Sequence, residues 1–294
     1  MNEQDWVVER FEEHRPHLRA VAYRMLGSVS EADDAVQDAW VRVSLADTNS
    51  IENMRAWLTT VVARVCLNML QSRARRREDP LDVHMPDPII SSEEGLDPEQ
   101  AALLADSVGL ALLVVLETLT PPERLAFVLH DMFDLPFEEI APLIGRSSTA
   151  ARQLASRARR RVKGQPTVSD ADLALQRELL DAFVAAAREG DFEALLAVLD
   201  PDVVLRADAG TLRPGVSRIL RGAEAVARGA LGFSRGAPHA RPVLVNGAAG
   251  LVVMPRGRPV AVGGVTIRNG KIVAIDILAD PERLRELDLT FLTD

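Results

Sequence analysis

Two all-α domains followed by an α+β domain is the fold class this sequence predicts, and three observations predict it. Apolar residues recur at helical spacing from residue 6 to 77 and again from 101 to 163. Between those runs, residues 78–99 hold eight acids, four prolines and no lysine or arginine. After Asp200-Pro201 the period shortens, and runs rich in valine and isoleucine alternate with turn residues. The resulting organisation is multidomain. It comprises a helical domain 1–77, an acidic proline-rich linker 78–100, a second helical domain 101–164, a linker 165–175 and an α+β domain 176–294.

In the first domain, Val7, Phe11, His14, Leu18, Val21, Ala22 and Met25 recur on one helical face, and Gly27 with Ser28 ends that helix. Ser30-Glu31-Ala32-Asp33 is expected to open a second helix, with Asp33 and Asp34 at its positive end. Its apolar positions are Ala35, Val36, Ala39, Trp40 and Val43. A third helix starts at Met54 or Arg55, passes through Trp57, Leu58, Val61, Val62, Val65 and Met69, and ends in Arg73, Arg75, Arg76 and Arg77. Residues 1–77 carry eleven basic and eleven acidic side chains, yet the acids crowd the first two helices and the arginines the end of the third.

Proline and like charge disfavour a packed helix over 78–99, so this stretch reads as a linker. Helices resume over 101–119 and in PPERLAFVLHDMF, where Pro121 follows Thr120 as a helix start. Residues 136–163 then read as a helix-turn-helix. Phe137, Ile140, Ala141 and Ile144 form one buried face. Gly145 supplies the positive φ of a helix end, and Ser147 or Ser148 caps the next helix. That helix gathers Ala151, Leu154, Ala155, Ala158 and Val162 on one side and spreads Arg152, Gln153, Arg157, Arg159, Arg160 and Arg161 around the rest. Residues 142–163 contain seven basic and no acidic residues, in a chain of net charge -9. Arginine-rich helix ends also complement the helix dipole, but a basic segment inside an acidic protein marks phosphates as the partner.

The third domain opens with helical periodicity over 171–199, through Leu179, Leu180, Phe183, Val184 and Ala187, then Phe192, Leu195, Leu196 and Leu199. Gly190-Asp191 breaks it in two. Strands are expected at 203–207, 242–245, 250–254, 259–267 and 272–278, with hairpin turns at Arg256-Gly257 and Asn269-Gly270. Helices first and a curved antiparallel sheet afterwards give an α+β arrangement with a concave face. His239, Asp208 and Asp276 are the candidate bases there, but such side chains more often satisfy loops and turns. No catalytic residue is assigned. Neither a glycine-rich phosphate loop nor metal-ligand spacing occurs, so no cofactor or metal is expected.

With 47% hydrophobic residues and a mean hydropathy of +0.03, the composition is that of a globular protein. No run approaches the roughly 20 apolar residues of a membrane span. The acidic, amphipathic MNEQDWVVERFEEH is not a secretory signal. A lone cysteine, Cys66, excludes an intramolecular disulfide and a cysteine-cluster zinc site, and sits among Val62, Val65 and Leu67 as a core residue. A cytoplasmic location follows as the expectation.

Two segments carry a family resemblance. AVQDAWVRV followed by ENMRAWLTTVVARVCLNMLQSRARRR resembles region 2 of a bacterial RNA polymerase sigma factor. LTPPERLAFVLHDMFDLPFEEIAPLIGRSSTAARQLASRARRRV resembles region 4. Two such domains joined by a linker, without a region 3, are the layout of the extracytoplasmic-function (ECF) class. The resemblance implies that Ser147, Ser148, Thr149, Arg152, Gln153, Arg157 and Arg160 meet the minus-35 element. Arg152 or Gln153 is expected to read bases, and Arg159–Arg161 to hold phosphate. Asn53, Met54, Arg55, Trp57, Thr60, Arg64, Asn68 and Arg73 are implied in capture of the unpaired minus-10 strand, with the loop 51–54 holding a flipped base. The same helix independently has the aromatic-and-cation make-up of a single-strand platform, although Trp57 reads equally as a core residue. Asp33, Asp34, Gln37, Trp40 and Val41 correspond to the surface that docks on the β′ clamp helices of core polymerase.

The last domain resembles the SnoaL-like polyketide-cyclase cone, and its presence after regions 2 and 4 marks the sigma factor J type. HMPDP at 84–88 approximates the Trp-Leu-Pro-Glu-Pro linker motif of that group. RADAG around Asp208 approximates Asp-Gly-Gly-Gly, and DPERL at 280–284 approximates Asn-Pro-Asp-Lys-Leu. The implied function is a promoter-specificity subunit, monomeric when free, regulated in cis by its cone rather than by a dedicated anti-sigma factor. Pro86, Asp208, Gly210, Pro281 and Arg283 are expected at the regulatory contact. Two other readings are a helix-turn-helix regulator whose cone senses a small molecule, and a cyclase or isomerase with a DNA-binding appendage. Neither has a use for the AVQDAWVRV helix.

Overall fold

The computed structural model describes residues 3–46, 51–76, 84–92, 109–163, 165, 169, 171–210, 217–233 and 237–292. Of the sequence expectations, Arg77, the helix start near 101, Thr211 and most of the 165–170 linker lie outside these residues. The described residues fall into two compact units.

The first unit contains α1 (Glu3–Leu26), α2 (Val29–Val43), α3 (Met54–Arg76), α5 (Pro121–Phe127), α6 (Phe137–Leu143) and α7 (Ser148–Lys163). Phe11, Leu18, Val21, Ala22 and Met25 of α1 are buried, as their spacing requires. Gly27 ends α1 at φ 72, and Ser28, not Ser30, caps α2 by accepting from the Glu31 N–H. The left-handed glycine turns the chain at once, so the first available hydroxyl becomes the cap. Cys66 is fully buried, and burial pushes its thiol up to about 12. Thr120 precedes α5, with Glu123 reaching back to accept from its N–H at 3.2 Å and its hydroxyl at 2.8 Å. A π-helical turn, Val128–Met132, follows where the sequence suggests plain helix. There Arg24 of α1 lies over the Phe133 ring, 4.9 Å from its centroid, and Arg124 donates to the Arg24 carbonyl at 3.3 Å.

The second unit holds residues 84–92, the Leu110–Val114 part of α4 (Leu110–Glu117), and everything described from 169 onward. Its helices are α8 (Leu173–Glu189), α9 (Phe192–Val198), α10 (Ala223–Leu231) and α11 (Arg283–Glu286). Asp172 caps α8 and Asp191 caps α9. Gly190 separates the two at φ 76.

Among the described residues, seven strands form one sheet in the order β1-β4-β5-β6-β7-β2-β3. They are β1 (Ile90–Ser91), β2 (Leu199–Asp208), β3 (Arg218–Arg221), β4 (Ala240–Val245), β5 (Ala248–Val253), β6 (Ala261–Arg268) and β7 (Lys271–Leu278). All neighbouring pairs are antiparallel except β2 with β7. The five foreseen strands are present. Asp200-Pro201 lies inside β2 at a register shift rather than ahead of the strand. Asn269-Gly270 makes its turn with φ of 51 and 69, and Asn246-Gly247 makes another.

β1 comes from the stretch read as linker. Proline bars a helix there but not an extended strand. Met85, Ile89 and Ile90 are buried apolar residues, and Ile90 and Ser91 pair with Val245 and Leu244. Alternation then divides the sheet between two cores. Leu205, Val265 and Ile275 face α8 and α10 across a cavity of about 450 Å³. Val245, Val252, Val262 and Leu278 face Met85, Leu110, Val114 and Leu284 on the other side.

Candidate nucleic-acid interface

α7 carries the strongest signal. Gly145 takes φ 61 after α6, the Arg146 N–H returns to the Ala141 carbonyl at 3.0 Å, and the Ser147 hydroxyl caps α7 by accepting from Ala150. Ala151, Ala155 and Ala158 are buried. Their short side chains bring α7 close against α5 and α6, so that Thr149, Arg152, Gln153, Ser156, Arg157, Arg160 and Lys163 form the exposed stripe. Arg152 lies over the Phe137 ring at 5.2 Å.

The arginines of α7 differ in their surroundings. Glu123, almost wholly buried, accepts from Arg157 at 3.1 Å and from Arg161 at 3.0 Å. Burial pushes the Glu123 carboxyl up, but the Thr120 bonds first and the guanidinium neighbours second hold it below its ordinary value. Arg159 pairs with Asp131. Arg160 and Gln153 have no acidic partner among the described residues. The expected phosphate triplet is therefore split: Arg159 and Arg161 are engaged within the fold, and Arg160 projects freely.

On α3, Thr60, Arg64 and Asn68 follow Trp57 at helical spacing, with Arg64 and Asn68 exposed and Trp57 half-buried. Asn53 is the helix cap, accepting from Ala56 at 3.0 Å, and Met54 is half-buried beside it. Arg55 and Arg73 turn away from this stripe. At 100° per residue they come round to the face that meets the neighbouring helices. Arg55 bonds His17 of α1 at 3.1 Å. Arg73 pairs with Glu31 of α2 and donates to the Leu26 carbonyl at 3.3 Å.

On α2, Asp33, Asp34, Gln37 and Val41 are exposed together. Arg19 pairs with Asp33. Trp40 is half-buried, its ring 5.0 Å from that of Phe11.

In the second unit, Arg283 gathers the three sequence motifs. Its guanidinium donates to Asp208 at 2.8 Å, to Asp87 at 2.7 Å and to the Met85 carbonyl. Asp208 also accepts from the Met85 N–H and the Gly210 N–H, each at 2.9 Å. Gly210 stands at φ 69, and a Cβ there would overlap the Asp280 carboxylate, which accepts from the Glu282 N–H at 2.9 Å. Pro86 is buried and Pro281 half-buried in this assembly. Asp87 is the member that sequence reasoning left unassigned, although its place between Pro86 and Pro88 is the available signal. Asn246 was missed too: its side chain accepts from Ile89 at 3.1 Å and its N–H donates to the Ile89 carbonyl at 2.8 Å.

None of the three candidate bases, Asp208, Asp276 and His239, lines the cavity. Asp276 is buried beside Arg206 at 3.3 Å, and burial pushes its carboxyl up to about 6.

Two family models match the chain: Sigma-70 region 2 over residues 10–76 and Sigma-70, region 4 over residues 109–162. The ECF RNA polymerase sigma factor SigJ of Mycobacterium tuberculosis is 40% identical, over 94% of this chain and 92% of its own. A probable ECF sigma factor of the same species, SigI, is 37% identical over 98% of both chains. The crystal structure of M. tuberculosis SigJ matches with a TM-score of 0.77 at 36% identity, covering 96% of this chain and 99% of that one. The match runs through both helical domains and the α+β sheet domain in one order. The chain belongs to the extracytoplasmic-function sigma factors, the promoter-specificity subunits of bacterial RNA polymerase.

Proposed function

We propose that this sigma factor meets the minus-35 element with α7, captures the minus-10 strand on α3 and docks on the β′ clamp of core polymerase with α2. The observation that carries the reading is the α7 stripe, where Arg152, Gln153 and Arg160 face outward from an alanine-packed helix. On α3 the reading rests on Trp57, Thr60, Arg64 and Asn68. Arg55 and Arg73 act there by holding the helix in place. The third domain regulates in cis and is not catalytic. It grips residues 84–92, part of the chain that joins the two DNA-reading halves, so only residues 77–83 intervene between α3 and the gripped segment. Gripping shortens the tether and biases the separation the halves can adopt, the task a separate anti-sigma protein would otherwise perform.

The test is transcription by core polymerase on a promoter library, comparing full-length protein with residues 1–163. Initiation at a defined pair of elements by the full-length protein, lost with Gln153→Ala and Arg64→Ala together, is the expected result. Initiation that ignores both substitutions would overturn the DNA assignments. Equal initiation by full-length protein and the fragment would overturn the cis regulation.

A further inference from the structure

The cavity between the sheet and helices α8 and α10 has a composition of its own. It measures about 450 Å³, within the ~300–1,000 Å³ of small-molecule sites. Leu205, Val265 and Ile275 form its floor, and Phe183 of α8 closes it from above. Among the described residues, no aspartate, glutamate, histidine or hydroxyl side chain lines it. Its two charged lining residues, Arg218 and Arg228, are both cationic. Arg228 bonds Glu224 at 2.8 Å in an exposed pair, which offsets its charge only in part. Arg218, on β3, has no acidic partner among the described residues, and its guanidinium lies beside Gly229.

A second observation concerns Gly263, in the middle of β6. Glycine in a strand interior weakens it and marks a place where something else approaches closely. A Cβ at Gly263 would meet its nearest neighbours, side-chain atoms of Ile277 and Leu251 and the Asp276 carbonyl, at an ordinary 3.8–3.9 Å. The strand therefore has room for a side chain, and the atoms beyond Cβ would enter the cavity. Gly263 keeps the floor open.

We propose that this cavity binds a small organic anion, a single carboxylate on an apolar body, with Arg218 receiving the carboxylate. The planar guanidinium matches a carboxylate with two parallel bonds, and the apolar floor takes the remainder. An uncharged apolar molecule leaves Arg218 unanswered, and a cation meets two like charges.

The test uses calorimetric titration of the full-length protein, without polymerase or DNA, so its outcome is independent of the promoter reading. Decanoate and 2-naphthylacetate are the probes, a chain and a ring, and decanol and decylamine control for charge. At least one carboxylate should bind at a single site, decanol at least tenfold more weakly, and decylamine not at all. Arg218→Gln, an exposed position, should weaken the carboxylate tenfold or more while leaving the thermal melt unchanged. Gly263→Leu should abolish binding by filling the floor. Failure of both carboxylates to bind at about 1 mM overturns the proposal. So does equal binding of decanol, or unchanged binding by Arg218→Gln, which decides the matter even where Gly263→Leu disturbs folding.

Discussion

Removing the Arg283 side chain should release residues 84–92 from the sheet. The guanidinium is 17% exposed and answers two carboxylates and one carbonyl, while Asp208 is 5% exposed. Hydrogen bonds to charged groups contribute about 1.5–3 kcal/mol each, and breaking a buried ion pair costs about 3–5 kcal/mol. Asp208 keeps its bonds from Met85 and Gly210, and Asp87 can turn to water, so the lower part of that range applies. Arg283→Ala should thus weaken docking of the segment by about 3 kcal/mol, a factor of about 10² in its opening equilibrium. Hydrogen exchange reads this directly. The Met85 and Ile89 amides, bonded to Asp208 and Asn246, should exchange about 10²-fold faster, while amides of α1 and α3 are unchanged. Arg283→Lys, which keeps the charge but loses the fork, should fall between. Protection of Met85 and Ile89 equal to that of the unmodified protein would show that β1 pairing and apolar burial hold the segment without the arginine.

Three further outcomes are expected. Gln153→Ala should relax base preference at one minus-35 position at a cost of about 1–3 kcal/mol, whereas Arg160→Ala should weaken all sequences alike; footprinting against sequence variants separates the two. Asp34→Lys should weaken association with core polymerase in a pull-down while circular dichroism stays unchanged. Trp40→Ala, which also loses the Phe11 contact, should lose helix signal only if that contact supports the bundle. Asp276 binds its proton more tightly when folded, near 6 against an ordinary 3.8, so its contribution is complete below 3.8 and lost as pH rises through about 6. Relative to the unmodified protein, Asp276→Asn should therefore gain about 2 kcal/mol between pH 4 and pH 7 in denaturant unfolding. A constant difference would refute the buried titration.

The helical half of the fold was legible because its signals are local. Gly145, Ser147, Thr120 with Pro121, and Gly190 with Asp191 each act within a few residues of where they stand. The strands β2 and β4–β7 announced themselves by buried valine and isoleucine. β3 did not, since it is four mostly exposed residues held by pairing with β2. β1 did not either, because two residues carry no period and only the distant Val245 and Leu244 define them. Among the site residues, those on the α7 stripe followed from spacing. Arg55 and Arg73, implied by the resemblance in single-strand capture, bond within the fold to His17 and Glu31, 38 and 42 positions away, contacts that no local pattern shows. The pairing of Arg157, Arg159 and Arg161 with Glu123 and Asp131 depends on residues 28–38 positions away, which no pattern within the helix reveals.

That pairing changes how the recognition helix trades ions with DNA. A phosphate approaching Arg157 or Arg161 competes with Glu123, a counterion that is covalently part of the protein and cannot diffuse away. Each such exchange releases a cation from DNA but leaves a nearly buried carboxylate to be solvated. Nonspecific duplex, which offers phosphates but no base contacts, gains little from the exchange and is left with the free cations of the stripe. The salt dependence of nonspecific binding should then count those free cations rather than all seven basic residues between 142 and 163, at a slope of about -0.9 per phosphate neutralised. An acidic chain thus carries its most basic helix partly quenched by Glu123 and Asp131 of its own fold.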